Sequence, residues 1–396
     1  MIWVILIPAV LYVCVILFLQ NGLLKLGAGQ NRNDFSFSVV IAARNEERNI
    51  RGCIESVFSQ NIPSSSYEVI VVNDRSEDST PAILSELQSE YPNLRVVDIT
   101  ETVPGISPKK NAVSKGIDAA GNEIIVFTDA DCIVSSGWLS AISRFFASDT
   151  GLVQGITCYR FIPGMNRIFF GLQTIDFLSH GIVAASAIGA NLPINSNANN
   201  FAFRRKVFEE IGGYGNKANR VVSGDDDLLL QRVWKSGRWN VTFMADPAGT
   251  VETNPTPTVS AAFDQRKRWG SQTVHYCAPQ VALLSSVFIF YLSIVLSFVV
   301  TLFDKSNLPL FLSQLLVKMA GETALLIPGT RIFRKKELRA FIPLASLVQL
   351  PMVIAAVLLG VFGRFGWKGQ SFSRTVEDNR SAQTGSVVDE IRKERM

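Results

Sequence analysis

The chain has 396 residues, of which 47% are hydrophobic and only 18% charged, with a formal net charge of +4. A charged fraction below the usual ~25%, with the apolar excess gathered in long runs near the two ends, excludes a wholly soluble protein and a disordered one, and the mild positive charge carries no nucleic-acid signature. Two histidines, His180 and His275, exclude a three-histidine metal site, and five cysteines without a C-x-x-C pair read as reduced, mostly buried thiols.

In chain order, Ile2 to Leu19 is an uncharged run long enough to span a bilayer. It lacks the basic n-region and small-residue cleavage site of a signal peptide, so residues 1–22 are expected to be an uncleaved transmembrane anchor. From about residue 35 to 276 strand and helix signals alternate. Ser38–Ala42, Val69–Val72, Leu94–Val97 and Ile124–Thr128 read as strands. Glu46–Gln60 and Lys109–Ala119 read as helices, and Ser79-Thr80-Pro81 as a helix start with a hydroxyl cap and an early proline. This β-α-β order implies an α/β fold with a mainly parallel sheet and right-handed crossovers. Ligands of such sheets bind beyond the carboxyl ends of the strands, where Arg44-Asn45-Glu46, Asn73-Asp74 and Asp129-Ala130-Asp131 fall.

Ile168–Ala190 is apolar but holds Gln173, Asp176 and His180, and is expected to lie against the domain or the membrane surface rather than to span. A C-terminal membrane region is expected over 280–363. Val281–Phe303 is a strong span. Leu308–Pro328 carries Lys318 and Glu322, four apart and able to pair on one helix face. Phe341–Phe362 contains Pro343 and Pro351. The basic run Arg331, Arg334, Lys335, Lys336, Arg339 and the basic tail residues Arg364, Lys368 and Arg374 both call for the cytoplasmic side, which a broken or re-entrant segment between them would allow. Residues 364–396 read as a polar, solvated tail.

Several motifs carry chemistry. In extended backbone, residues two apart point the same way, so Asp129 and Asp131 can address one hard cation, Mg²⁺ or Mn²⁺, with a bound diphosphate. Asp74 can accept hydrogen bonds from a base or ribose, while Ser79 or Thr80 caps the following helix. Asp225-Asp226-Asp227 opens an apolar helical run. The helix dipole accounts for one or two acids there, and a catalytic base is otherwise missing. Gln265-Arg266-Lys267-Arg268-Trp269 lies just before the second membrane region and can equally be a juxtamembrane basic patch.

The ordered set Ala43-Arg44-Asn45-Glu46-Glu47, Val72-Asn73-Asp74, Asp129-Ala130-Asp131, Asp225-Asp226-x-x-Leu229 and Gln265-x-x-Arg268-Trp269 resembles glycosyltransferase family 2 over roughly residues 36–275. It is similar to the membrane-attached branch with a D, D-x-D, E/D-D, Q-x-x-R-W pattern, which includes polysaccharide synthases and ceramide or chlorobactene glucosyltransferase-like enzymes. The resemblance implies a GT-A nucleotide-diphospho-sugar transferase domain over 35–276, flanked by transmembrane helices and facing the cytoplasm of a multi-pass cell-membrane protein. It implies a UDP-sugar donor held by Ala43, Arg44, Glu46, Asp74, Lys109, Asp129, Gln265 and Arg268. It implies a metal on Asp131, a base at Asp226 with Asp225 beside it, and an acceptor channel lined by Trp269. Asp stands at 225 where Glu is more frequent, and three consecutive acids leave the register of the base open by one residue. The expected reaction is single-displacement transfer, with inversion, to a lipid or other hydrophobic acceptor. The alternatives are a processive polysaccharide synthase and a non-enzymatic membrane scaffold.

Overall fold

Strand β1 (Phe37–Ala43) lies inside the sheet because almost every side chain in it is apolar and can be covered on both faces. It pairs in parallel with β2 (Tyr67–Asp74) and β4 (Ile124–Asp129), and β2 pairs in parallel with β3 (Leu94–Ile99). Register puts Ala42 opposite Val72 on one side and Asp129 on the other, so the polar ends of three strands open at one level. The computed structural model describes residues 2–32, 34–101, 103, 106–214, 225–270, 276–362, 365–367 and 370–372.

The seven-stranded sheet runs β3-β2-β1-β4-β8-β6-β9, with β6 at Thr150–Gln154, β8 at Phe201–Arg204 and β9 at Asn240–Phe243. It is mainly parallel, as expected; β8 alone among its described strands runs against its neighbours β4 and β6. A small second sheet orders β5 (Ile133–Val134), β10 (Val251–Thr253) and β7 (Thr157–Tyr159).

Period-two alternation sorts the strands' side chains between two cores. Val39, Ile41, Val69 and Val71 meet α2 (Ile50–Phe58), α3 (Thr80–Glu90) and α5 (Trp138–Phe145). Val40, Ile70 and Val72 meet α4 (Pro108–Ala119) and α6 (Arg167–Gly189). A short α7 (Arg205–Glu210) follows β8, and α8 (Asp225–Lys235) packs its Leu229, Leu230 and Val233 into the second core.

Two local expectations are corrected. The helix expected from Glu46 begins only at Ile50. Asn45 is left-handed (φ 55°), and the amides of Asn45, Glu46 and Glu47 donate to Ser76 Oγ (3.0 Å), Thr80 Oγ1 (2.8 Å) and Asp78 Oδ2 (3.1 Å) instead of starting a helix. Helix α3 does start at Ser79-Thr80-Pro81, with Ser79 as its N-cap residue, but neither hydroxyl makes the capping bond. Asp78 Oδ1 accepts from the Thr80 amide (3.0 Å), which frees the Thr80 hydroxyl to clamp the loop after β1.

Helix α9 (Val259–Gly270) leads to α10 (Ala278–Phe303), α11 (Leu308–Ile332) and α12 (Ile342–Phe362). Among the described residues, α1 (Ile2–Leu24), α6, α10, α11 and α12 supply the five helices long and apolar enough to cross a membrane. Helix α12 is continuous rather than broken. Pro343 occupies the first turn, where no amide donor is missed, and Pro351 is carried inside the helix. Lys318 and Glu322 pair on α11 (2.5 Å), and the Lys318 ammonium also donates to the Ser346 carbonyl oxygen of α12 (2.7 Å).

Helix α6 packs on the domain as expected, and it also packs against α1, α11 and α12, so it is a shared wall. Its crossing with α1 depends on close backbone approach: a Cβ on Gly22 would lie 1.9 Å from the Ser186 carbonyl oxygen. At the C-terminus, Phe365–Trp367 pairs antiparallel with Gln370–Phe372, so the polar tail begins with a small hairpin. His275, Arg364, Lys368, Arg374 and the rest of 373–396 lie outside the described residues.

Candidate active site

One cavity of about 1520 Å³ opens at the carboxyl ends of β1, β2 and β4 and continues between α1, α6, α10, α11 and α12. Ala43, Arg44, Glu46, Asp74, Lys109, Asp129, Asp131, Asp226, Gln265, Arg268 and Trp269 all border it, which brings together every expected site residue except Asp225. The Asp225 side chain lies outside the described residues.

At the sheet end, Asp74 is buried and gripped by the Arg75 guanidinium (Nε to Oδ1 2.8 Å, Nη2 to Oδ2 3.2 Å). Arg75 reaches back because its own backbone is left-handed (φ 53°). Lys109 Nζ, from α4, lies 3.0 Å from Asp129 Oδ1. Asp129 closes β4, but Asp131 lies beyond it in a tight turn fixed by the Cys132 amide donating to the Asp129 carbonyl oxygen (3.1 Å). The two carboxylates are therefore brought together by a turn and not by strand periodicity. Burial, followed by the charges of Asp129 and Glu46, pushes the Asp131 carboxyl up to about 6.

That crowding tests the fit of a cation. Three acids share the corner with Lys109 as the cationic partner that the Asp131 carboxyl feels. Among the described residues no three His, Cys, Asp or Glu side chains form a ready metal cage. The donor set therefore suits a hard divalent ion whose remaining ligands come from a diphosphate. The neighbouring thiols of Cys53 and Cys132 are buried, and that burial, with the Asp131 and Asp129 charges, pushes them up, which keeps them protonated and inert.

Across the cavity, Asp227 accepts from the Ser196 amide (2.5 Å) and the Tyr276 hydroxyl (2.7 Å), and is buried. Burial and then the Asp227 charge push the Tyr276 hydroxyl well up, so it stays a donor. Asp226, one residue earlier, faces the cavity. On α9, Gln265 Oε1 accepts from Tyr159 Oη (3.0 Å) and from the Arg266 guanidinium (2.5 Å). The Trp269 ring is flanked by Arg266 (Cζ 4.3 Å from its centroid), His180 (5.2 Å) and Phe177 (5.9 Å).

Sequence reasoning missed the partner of Asp176. Arg266 Nε donates to Asp176 Oδ2 (2.8 Å), and both side chains are buried. A carboxylate in the middle of an apolar run requires a cation, and that was the available signal. Of the deeper cavity wall, where Tyr291, Glu322, Ser346 and Gln349 add polar groups among the apolar helices, sequence reasoning named only Glu322.

Residues 38–212 match the profile of the family described as Glycosyl transferase family 2. The chain is 28% identical over 224 residues to glycosyltransferase AglE of Haloferax volcanii, covering 55% of this chain and 67% of that one. It is 27% identical over 241 residues to the beta-monoglucosyldiacylglycerol synthase of Synechocystis sp., covering 58% of this chain and 46% of that one, so the chain spans about half the length of that relative. The mannosyltransferase PcManGT of Pyrobaculum calidifontis, solved with GDP-Man and Mn²⁺, superposes with a TM-score of 0.58 at 18% identity. That alignment covers 91% of this chain and 98% of the other, and it shows the GT-A glycosyltransferase fold.

Proposed function

From a chain whose central domain belongs to glycosyltransferase family 2, we propose a membrane-bound, inverting enzyme that moves a sugar from a UDP-sugar to a hydroxyl of a lipid or other hydrophobic acceptor. The observation that carries this reading is one continuous cavity. It joins the carboxylates at the strand ends to an apolar chamber bordered by Tyr12, Val287, Phe288 and Val353, so a hydroxyl on an apolar molecule can reach the sheet without leaving a hydrophobic wall. The glucolipid synthase of Synechocystis sp. is a relative whose name states a lipid acceptor.

In this reading Asp74 and Arg44 hold the nucleoside end of the donor, and Lys109 with Asp129 steadies the sugar diphosphate. A divalent cation, Mg²⁺ or Mn²⁺, bound between Asp131 and the donor would supply neutralising charge for the departing diphosphate. The Asp226 carboxylate takes the proton of the acceptor hydroxyl as that oxygen attacks the anomeric carbon, so one displacement inverts the configuration. Arg268 and Gln265 meet the negative charge that grows on the leaving diphosphate, and Trp269 walls the acceptor side. Asp227, committed to Ser196 and Tyr276, is the less suitable base of the pair.

In this reading the catalytic domain faces the cytoplasm, and the neighbourhood of the basic turn supports it. Phe333 packs against Phe243 of β9 (centroids 5.9 Å apart) and Lys335 pairs with Glu252 of β10 (3.7 Å), so the basic turn between α11 and α12 sits beside the domain.

The test is a screen of labelled UDP- and GDP-sugars with membranes containing the protein, followed by organic extraction and mass spectrometry. Label in single-sugar lipids, absent with Asp226→Asn, is the expected result. Label in a growing polymer that resists extraction would mark a processive polysaccharide synthase. No transfer from any sugar nucleotide would overturn the reading.

A further inference from the structure

Two buried oxygens of residues that line the cavity, Gln154 Oε1 and Thr157 Oγ1, have no hydrogen-bond partner among the described residues. Both residues border the cavity, yet they are only 1% and 3% exposed. A buried polar atom left unpaired is costly, so native proteins rarely keep one without a use. Resting on the glycosyltransferase reading, we infer that Gln154 and Thr157 form a subsite that reads hydroxyls of a neutral sugar on the donor and so set which sugar is transferred.

The position fits the sugar. Gln154 ends β6, opposite Phe201 of β8, and β8 borders β4, the strand that ends at Asp129. Thr157 begins β7, opposite Val251 of β10. Two residues further along these strands, Thr253 donates to Asp131 (3.3 Å) and Tyr159 donates to Gln265 (3.0 Å). The Thr253–Tyr159 level thus joins the Asp131 corner to Gln265, both assigned to the donor, and Thr157 lies two residues before it on the cavity wall.

The subsite is also rigid. The Gly155 amide donates to the Asn200 carbonyl oxygen (2.8 Å), and Asn200 Nδ2 returns to the carbonyl oxygens of Ile156 (2.8 Å) and Gly249 (2.7 Å). A Cβ on Gly155 would lie 2.4 Å from Asn200 Nδ2, so glycine is required for this lock. Two oxygens held in fixed positions are preorganised for a ligand. Oε1 only accepts, so it calls for an O–H or N–H group on the ligand. A uronic acid keeps its ring hydroxyls but adds a carboxylate charge to a cavity that already holds Asp129 and Asp131, so the preferred class is a neutral, hydroxyl-bearing sugar.

The experiment compares nucleotide with nucleotide sugar by calorimetry on the full-length enzyme with Mn²⁺, using UDP and UDP-glucose, GDP and GDP-mannose, and UDP-glucuronic acid. Wild-type enzyme should bind one neutral sugar nucleotide more tightly than its parent nucleotide, and UDP-glucuronic acid no more tightly than UDP. Thr157→Val and Gln154→Met should each weaken the sugar nucleotide about tenfold and leave the parent nucleotide unchanged. Their unliganded unfolding temperatures should hold or rise, because each change removes an unpaired buried oxygen. Should Gln154→Met fail to fold, Thr157→Val alone decides. Equal weakening of nucleotide and nucleotide sugar, no weakening of either, or a change confined to the acceptor KM would overturn the subsite while the transferase reading stands. An enzyme that binds none of the five overturns both.

Discussion

Asp176 and Arg266, ninety positions apart in sequence, form a buried ion pair that ties α6 to the helix carrying Gln265, Arg268 and Trp269. Arg266 spends its guanidinium on Asp176, on Gln265 and on the face of Trp269. Removing one member of a buried pair strands the other charge, at a cost of about 3–5 kcal/mol. Asp176→Ala should therefore lower the unfolding temperature in detergent and cut transfer at least tenfold. The double variant Asp176→Leu/Arg266→Met should regain most of the stability. A single variant as stable as wild type would show that the pair does not hold α9 in place.

The neighbouring acids Asp226 and Asp227 should separate by phenotype. Asp226→Asn should keep nucleotide binding and lose transfer by ~10²-fold or more, since only the proton acceptor goes. Asp227→Asn should instead destabilise the fold, because its carboxylate satisfies both the Ser196 amide and the Tyr276 hydroxyl. Tyr276→Phe should reproduce part of that loss. Parallel measurement of turnover and unfolding temperature checks the pattern; the reverse assignment would move the base one residue on.

Excess chelator should abolish transfer, and so should Asp131→Ala. Stability should respond in the opposite sense. Asp131 is buried and, beyond that, crowded by Asp129 and Glu46, and it holds its proton up to about pH 6, so the charged form is unfavourable in the metal-free fold at neutral pH. Asp131→Asn should accordingly leave the metal-free protein at least as stable as wild type at pH 7.5, while removing the stabilisation that Mn²⁺ with nucleotide gives to wild type. Thermal unfolding with and without Mn²⁺ and UDP reads both effects. Turnover that survives chelation would remove the cation from the mechanism.

Much of this arrangement is legible in the sequence, because the relevant signals are local. Apolar runs name the first four strands, and the acids at their ends name the rim of the site. What escapes is set by contacts between distant segments. Asn45 is left-handed because the amides around it are drawn to Ser76, Asp78 and Thr80, some thirty residues away, and no propensity of the segment 45–49 reports that. Gln154 and Thr157 look like ordinary strand residues until the Asn200 lock shows their oxygens to be buried and unpaired. The partner of Asp176 lies in a helix that sequence alone assigned to the donor.

The last prediction concerns the membrane. Helix α10 leaves the domain where Gln280 donates to the Pro193 carbonyl oxygen, and α11 returns to it where Phe333 meets Phe243. The turn at Asp304–Asn307 is then at the far end of this pair, and a helix of 26 residues spans ~39 Å, enough to cross a bilayer. The near turn carries Arg331, Arg334, Lys335, Lys336 and Arg339, whereas the far turn carries Lys305 next to Asp304. By the positive-inside rule, that asymmetry predicts a cytoplasmic near turn, and a cytoplasmic catalytic domain with it. With Cys14 and Cys277 changed to serine, Lys305→Cys should react with a membrane-impermeant maleimide in intact cells. Arg334→Cys should react only after permeabilisation. Labelling of both cysteines in intact cells, or of Arg334→Cys alone, would mean that α10 and α11 do not cross in this sense and that the acceptor must reach the cavity by another route.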